Sequence, residues 1–208
     1  MASATKFHVY ASNFEFFPND GVAFHSLSPL LKKIQRVDFV MRVDDPSVNQ
    51  GQMVSDFDNK LEKVLLVHGA THFELRLPPG IPQEFDFAFV FVGRTVAVEI
   101  EKTNREKILR DILKCHMYIH AGVDFALVGL PKNYPHAHGV WDLFEFGVQR
   151  LSECKTFGFG TADKLGRILL LGYEQFVVST NEPLSRETRQ RMRKEAIAQR
   201  RRPPVDRK

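Results

Sequence analysis

The chain has 208 residues and 43% hydrophobic content, enough for one domain with a full core, or one domain plus a tail. Its net charge of +4 is an uneven average: residues 185–208 hold ten basic and three acidic side chains, so that segment carries +7 and residues 1–184 carry −3. No apolar run reaches the roughly 18 residues of a membrane span. Met1–Lys6 lacks the charged start and apolar core of a secretory signal, and the only cysteines, Cys115 and Cys154, have neither metal-ligand spacing nor a disulfide framework. The expectation is a cytoplasmic protein with no membrane partner.

Phe7–Phe17 reads as extended and ends at the turn Pro18-Asn19-Asp20-Gly21. Ser26–Phe39 opens on a Ser cap and places Leu30, Leu31, Ile34 and Val37 at helical spacing. Residues 43–52 read as a polar loop, and Met53–His68 as a helix with Phe57, Leu61, Val64 and Leu65 on one stripe, stopped by Gly69. His72–Leu77 alternates like a strand before the breakers Pro78, Pro79, Gly80 and Pro82. Glu84–Val92 and Thr95–Glu101 are β-rich runs joined by Gly93-Arg94, a hairpin signal.

Thr103 with Glu106 forms a capping-box pattern. The helix it predicts carries Ile108, Ile112, Cys115 and Ile119 on one face and ends near Gly122. Asp124–Pro131 reads as a buried strand, Trp141–Ser152 as a helix and Arg167–Gly172 as a strand. This order predicts an α/β (α+β) fold, a mixed central β-sheet flanked by helices, over residues 1–184, with 185–208 as a basic C-terminal extension. The extension has too few apolar residues for a core-facing stripe, and reads as a DNA-binding or partly disordered segment.

The hairpin spends carboxylates where a packed sheet wants none. Strand alternation puts Val96, Val98 and Ile100 on one face and Ala97, Glu99 and Glu101 on the other. Pairing about Gly93-Arg94 sets Asp86 across from Glu101, with Glu99 a diagonal neighbour. Clustered acids on one face repel unless a cation lies between them, and oxygen ligands suit Mg²⁺. An edge strand with one polar face has the same pattern, so the residues alone leave both readings open.

An Asp in one strand, then Glu-x-(Lys, Glu or Gln) at the end of the next, then a helix, is similar to the catalytic motif of the PD-(D/E)xK nucleases. The run Val96–Lys114, then Gly122, Val123–Val128 and Pro131, resembles the core of type II restriction endonucleases of the BglII, BstYI and BamHI group. The resemblance covers residues 85–131, and more loosely Val9–Ser12 and Gln50–Gln52. It implies a restriction-endonuclease-like fold and a Mg²⁺-dependent endonuclease that hydrolyses double-stranded DNA at a short specific site, acting as a homodimer in restriction–modification defence.

On that resemblance Asp86 and Glu99 are metal ligands. Glu101 stands where most of the superfamily has Lys, where BamHI-type enzymes have Glu and BglII-type enzymes Gln, and it orients or deprotonates the attacking water. Lys102 is one position late for the usual Lys and by alternation points to the opposite face unless a bulge re-aims it. Glu74 is a further acidic candidate on the preceding strand.

Arg105 at the helix start, and Arg110 with Lys107 and Lys114 on the helix, are candidates for phosphate contacts alongside Lys102; a solvated basic face is the plainer reading of Lys107 and Lys114. Asn133, His136, His138 and the tail are places to look for base readout, without assigning it to any of them, and His116 with His120 makes no zinc motif. Two other readings remain: a nuclease of the same fold acting in repair or phage defence without strict sequence specificity, and a non-catalytic DNA-binding module.

Overall fold

The structure, a computed structural model, describes residues 7–43, 55–81, 83–136 and 139–200. The Gln50–Gln52 run, most of the polar loop at 43–52, His138 and Arg201-Arg202 lie outside the described residues. Nine strands are described: β1 (Phe7–Phe17), β2 (Phe39–Val43), β3 (Thr71–His72), β4 (Phe87–Phe91), β5 (Arg94–Ile100), β6 (Phe125–Pro131), β7 (Tyr134–His136), β8 (Gly139–Trp141) and β9 (Ile168–Val177). The helices are α1 (Val22–Ile34), α2 (Phe57–Val67), α3 (Lys107–His120), α4 (Leu143–Phe157), α5 (Ala162–Leu165) and α6 (Arg186–Arg200).

Seven strands form one mixed sheet in the order β2-β1-β9-β6-β5-β4-β3, and β7 pairs with β8 apart from it. The central neighbours β5–β6 and β6–β9 are parallel, and the outer pairs antiparallel. Parallel neighbours need crossovers: α3 makes the first, α4 and α5 the second. Helices on both faces explain why β6 and the start of β9 read as continuous apolar runs rather than alternating ones.

One face of the sheet packs Val96, Val98, Leu127, Leu169, Leu171 and Tyr173 against α1 and α2. The Phe57 ring stacks on Tyr173 with centroids 3.7 Å apart. The other face packs Ala126, Val128, Leu130, Ile168 and Leu170 against Ile108, Ile112 and Cys115 of α3 and Leu143, Phe144 and Leu151 of α4. The Ile108–Ile119 stripe expected from sequence is this contact.

Several boundaries differ from expectation. Helix α1 begins at Val22, with Gly21 rather than a serine at its cap, and Phe39 belongs to β2. The alternation of Phe39, Met41 and Val43, buried while Val40 and Arg42 are exposed, marks that strand. At the sheet edge, β3 pairs only Thr71 and His72 with β4, so most of the expected His72–Leu77 strand is irregular. The extension is helical in α6, where Thr188 and Met192 are buried and Met192 joins the first core. Among the described side chains of α6, these two, at i, i+4, face inward despite the scarcity of apolar residues.

The hairpin turns at Val92-Gly93, both with positive φ (50° and 70°), not at Gly93-Arg94. Paired left-handed residues make the tight turn that matches strand twist. Phe91 therefore faces Arg94 and Phe87 faces Val98. The ladder ends at Phe87–Val98, and the Asp86 N–H goes to the Val98 carbonyl, so the expected Asp86–Glu101 pairing does not form; the register runs toward Glu99 instead. The slip is by two residues, so every side chain stays on its expected face.

Asp124 fixes the start of β6 against β5. Its carboxylate accepts the Thr95 N–H and hydroxyl, both at 2.9 Å, and an Arg94 N–H at 3.1 Å. Burial pushes this carboxyl up, but those donors outweigh it and hold the pKa below the usual aspartate value. Its contribution is therefore present above the unfolded pKa of about 4 and is lost as pH falls through the lower folded value. We expect Asp124→Ala to cost about 2 kcal/mol at neutral pH and much less near pH 2, read by urea unfolding.

Candidate active site

Beyond Phe87 the hairpin splays, and Asp86 takes over a strand's hydrogen bonding with its side chain. Its N–H donates to the Val98 carbonyl at 2.9 Å, and its Oδ2 accepts the Ile100 N–H at 2.6 Å. Asp86 remains open to solvent. Protein packed on its inner side raises its pKa, opposed by the Ile100 N–H and the Lys102 charge.

Glu99 points to the α3 face and is only 5% exposed. Its Oε1 accepts from Lys114 Nζ and the Tyr118 hydroxyl, each at 2.9 Å. Lys114 Nζ also donates to the Glu84 carbonyl at 3.2 Å and lies 3.8 Å from Asp111 Oδ1. Burial pushes Glu99 up to about 7, even with Lys114 and Tyr118 pulling it down. Burial likewise raises Asp111, opposed by Lys114 and reinforced by Glu101. One lysine therefore sits among more buried negative charge than it neutralises.

Asp111, Lys114 and Tyr118 are the residues that sequence reasoning missed. A solvated face is the expectation for Lys107 and Lys114; Lys107 is exposed, as is Arg110, whereas Lys114 is 8% exposed. The usable signal is the spacing i, i+3, i+7, which puts Asp111, Lys114 and Tyr118 on one helix face beside the apolar stripe.

Glu101 lies just past β5 and is buried. Its Oε1 accepts the Thr103 and Asn104 N–H groups at 2.7 and 2.8 Å and lies 3.4 Å from the Thr103 hydroxyl. The expected Thr103–Glu106 capping box does not form; the Asn104 side chain accepts the Glu106 N–H instead, at 2.9 Å. Lys102 points toward α2 and pairs with Asp58 at 3.2 Å, the opposite face predicted by alternation. Glu74 is exposed and paired with Arg76 at 3.1 Å. Arg110 contacts Asp111 at 3.5 Å, and Arg105 lies over the Phe146 ring.

The loop candidates are engaged structurally. Asn133 exchanges two 2.8 Å hydrogen bonds with the Gln175 backbone, bracing β9. His136 stacks on Trp141 in the small β7–β8 hairpin rather than in an open loop. His116 accepts the Thr161 N–H, and His120 contacts Lys164.

No cluster of three or more His, Cys, Asp or Glu side chains arranged to hold a metal ion occurs among the described residues. The donor chemistry of the Asp86–Glu99 pair fits a hard divalent cation. Both side chains supply oxygen donors, and Oδ1 of Asp86 and Oε2 of buried Glu99 have no hydrogen-bond partner among the described residues.

No protein-family model matches the chain, and no curated protein matches it by sequence. Among solved structures, it is similar to the crystal structure of restriction endonuclease BglII complexed with a DNA 16-mer. The identity is 14%, over 77% of this chain and 76% of that one, with a TM-score of 0.45. No helix among the described residues is long and apolar enough to cross a membrane.

Proposed function

We propose that the chain is a Mg²⁺-dependent endonuclease that hydrolyses double-stranded DNA at a short specific site, as a type II restriction enzyme does. The observation that carries this reading is that Asp86, at the splayed hairpin end, and Glu99, on the neighbouring strand, each keep a carboxylate oxygen without a hydrogen-bond partner among the described residues, with Asp86 open to solvent. The residue pattern over 85–131 supports it.

Asp86 and Glu99 would hold Mg²⁺, which supplies neutralisation of the charge that builds on the phosphate. Tyr118 and Lys114 fix the Glu99 carboxyl from the helix side. Glu101, its Oε1 spent on the loop, offers Oε2 to the attacking water. The water oxygen bonds to phosphorus in line with the leaving ester oxygen, that P–O bond breaks, Glu101 takes the water proton, and solvent protonates the leaving oxygen. Residues 1–184 form the nuclease unit, and the 185–208 extension adds sequence-independent attraction for DNA. Cutting both strands of a palindrome calls for a twofold pair of chains.

One observation favours a second reading: Lys114 already bonds Glu99, as in a DNA-binding module whose acids are neutralised internally. Incubating the full chain with unmethylated phage DNA and Mg²⁺, beside an EDTA control, separates the readings on a gel. Sharp metal-dependent bands are expected. A smear or preference for branched DNA indicates a repair or defence nuclease, and a shift without cutting under any divalent metal indicates the binding module.

A further inference from the structure

Phe146 on α4 gathers two guanidinium groups over one ring, Arg105 at 4.3 Å and Arg150 at 4.5 Å from its centroid. The ring is half-buried against the α3–α4 core, so it is a fixed platform. Two cations on one ring repel each other, and Glu153 compensates Arg150 by an ion pair. Arg105 is exposed and has no carboxylate partner among the described residues. It directly follows Asn104, whose N–H is held by Glu101 Oε1, and it precedes α3. An ordered guanidinium without a counter-ion thus stands at the end of the short loop that leaves the candidate site.

We infer that Arg105, with Arg150 beside it on the Phe146 ring, is a contact for the phosphate backbone of DNA, an inference that rests on the nuclease reading. A guanidinium is charged at every relevant pH and presents a planar donor fork that matches phosphate oxygens. Stacking on Phe146 restricts the long side chain before DNA arrives, so less rotamer freedom is lost on contact. A side chain ordered only for packing has no need to keep its charge unpaired and facing water. The contact is to backbone, so it positions the duplex and carries no sequence information.

The test is equilibrium binding of a fluorescent mixed-sequence DNA duplex by the full chain in EDTA, across a salt series. Arg105→Ala should lower the log–log salt slope by about 1 and weaken binding evenly across sequences. Arg105→Lys should restore the slope, and Phe146→Leu should weaken binding with the slope kept. An Arg105→Ala variant with wild-type slope and affinity overturns the inference alone. A slope lost equally in Arg105→Lys also overturns it, because a charge contact tolerates that exchange. Wild-type protein that does not bind the duplex removes the nuclease reading and this contact together.

Discussion

Glu99→Gln is expected to lower DNA cleavage by at least ~100-fold while leaving duplex binding intact. The change keeps the shape of the side chain and an oxygen for Tyr118 or Lys114, but removes the charge that would hold a divalent cation. Loss of a negative charge does not weaken attraction for a polyanion. Single-turnover cleavage and a gel shift on the same preparation check both halves. Cleavage at the wild-type rate would sink the role given to the Asp86–Glu99 pair. Asp86→Asn should behave alike, since the proposal gives both carboxylates the same cation.

Lys114→Met is expected to destabilise the fold by about 3–5 kcal/mol, the cost of leaving a buried charge without its partner. Both side chains of the Lys114–Glu99 pair are below a tenth exposed, and the ammonium also satisfies the Glu84 carbonyl. Urea unfolding reads the loss. The double variant Lys114→Met with Glu99→Gln should recover much of it, because the orphaned charge is gone. Lys107→Ala, two helical turns before Lys114 and exposed, should shift stability by less than ~0.5 kcal/mol. A Lys114→Met loss below ~1 kcal/mol would show that the lysine is not a structural counter-ion.

The sheet and its acid face were legible because strand periodicity is robust to small errors. The turn lies one residue earlier than the hairpin signal, yet the resulting two-residue slip keeps Glu99 on the face expected from alternation, opposite Val96, Val98 and Ile100. The apolar stripe of α3 was legible for the same reason. Lys114 was not, because a lysine at helical spacing with Lys107 and Arg110 looks solvated until its depth is known, and depth depends on how α3 lies over the hairpin end. Edge elements were also hidden. Strand β2 and the truncated β3 are defined by partners far along the chain, and α6 docks with Thr188 and Met192 inward among its described side chains.

The central claim, that Asp86 and Glu99 hold a divalent cation, is tested most directly by anomalous diffraction from crystals of the full chain soaked in Mn²⁺, a hard cation standing in for Mg²⁺. The account predicts a peak within about 2.0–2.6 Å of an oxygen of each carboxylate. Well-diffracting soaked crystals with no peak between them, and Lys114 still bonded to Glu99, would contradict it.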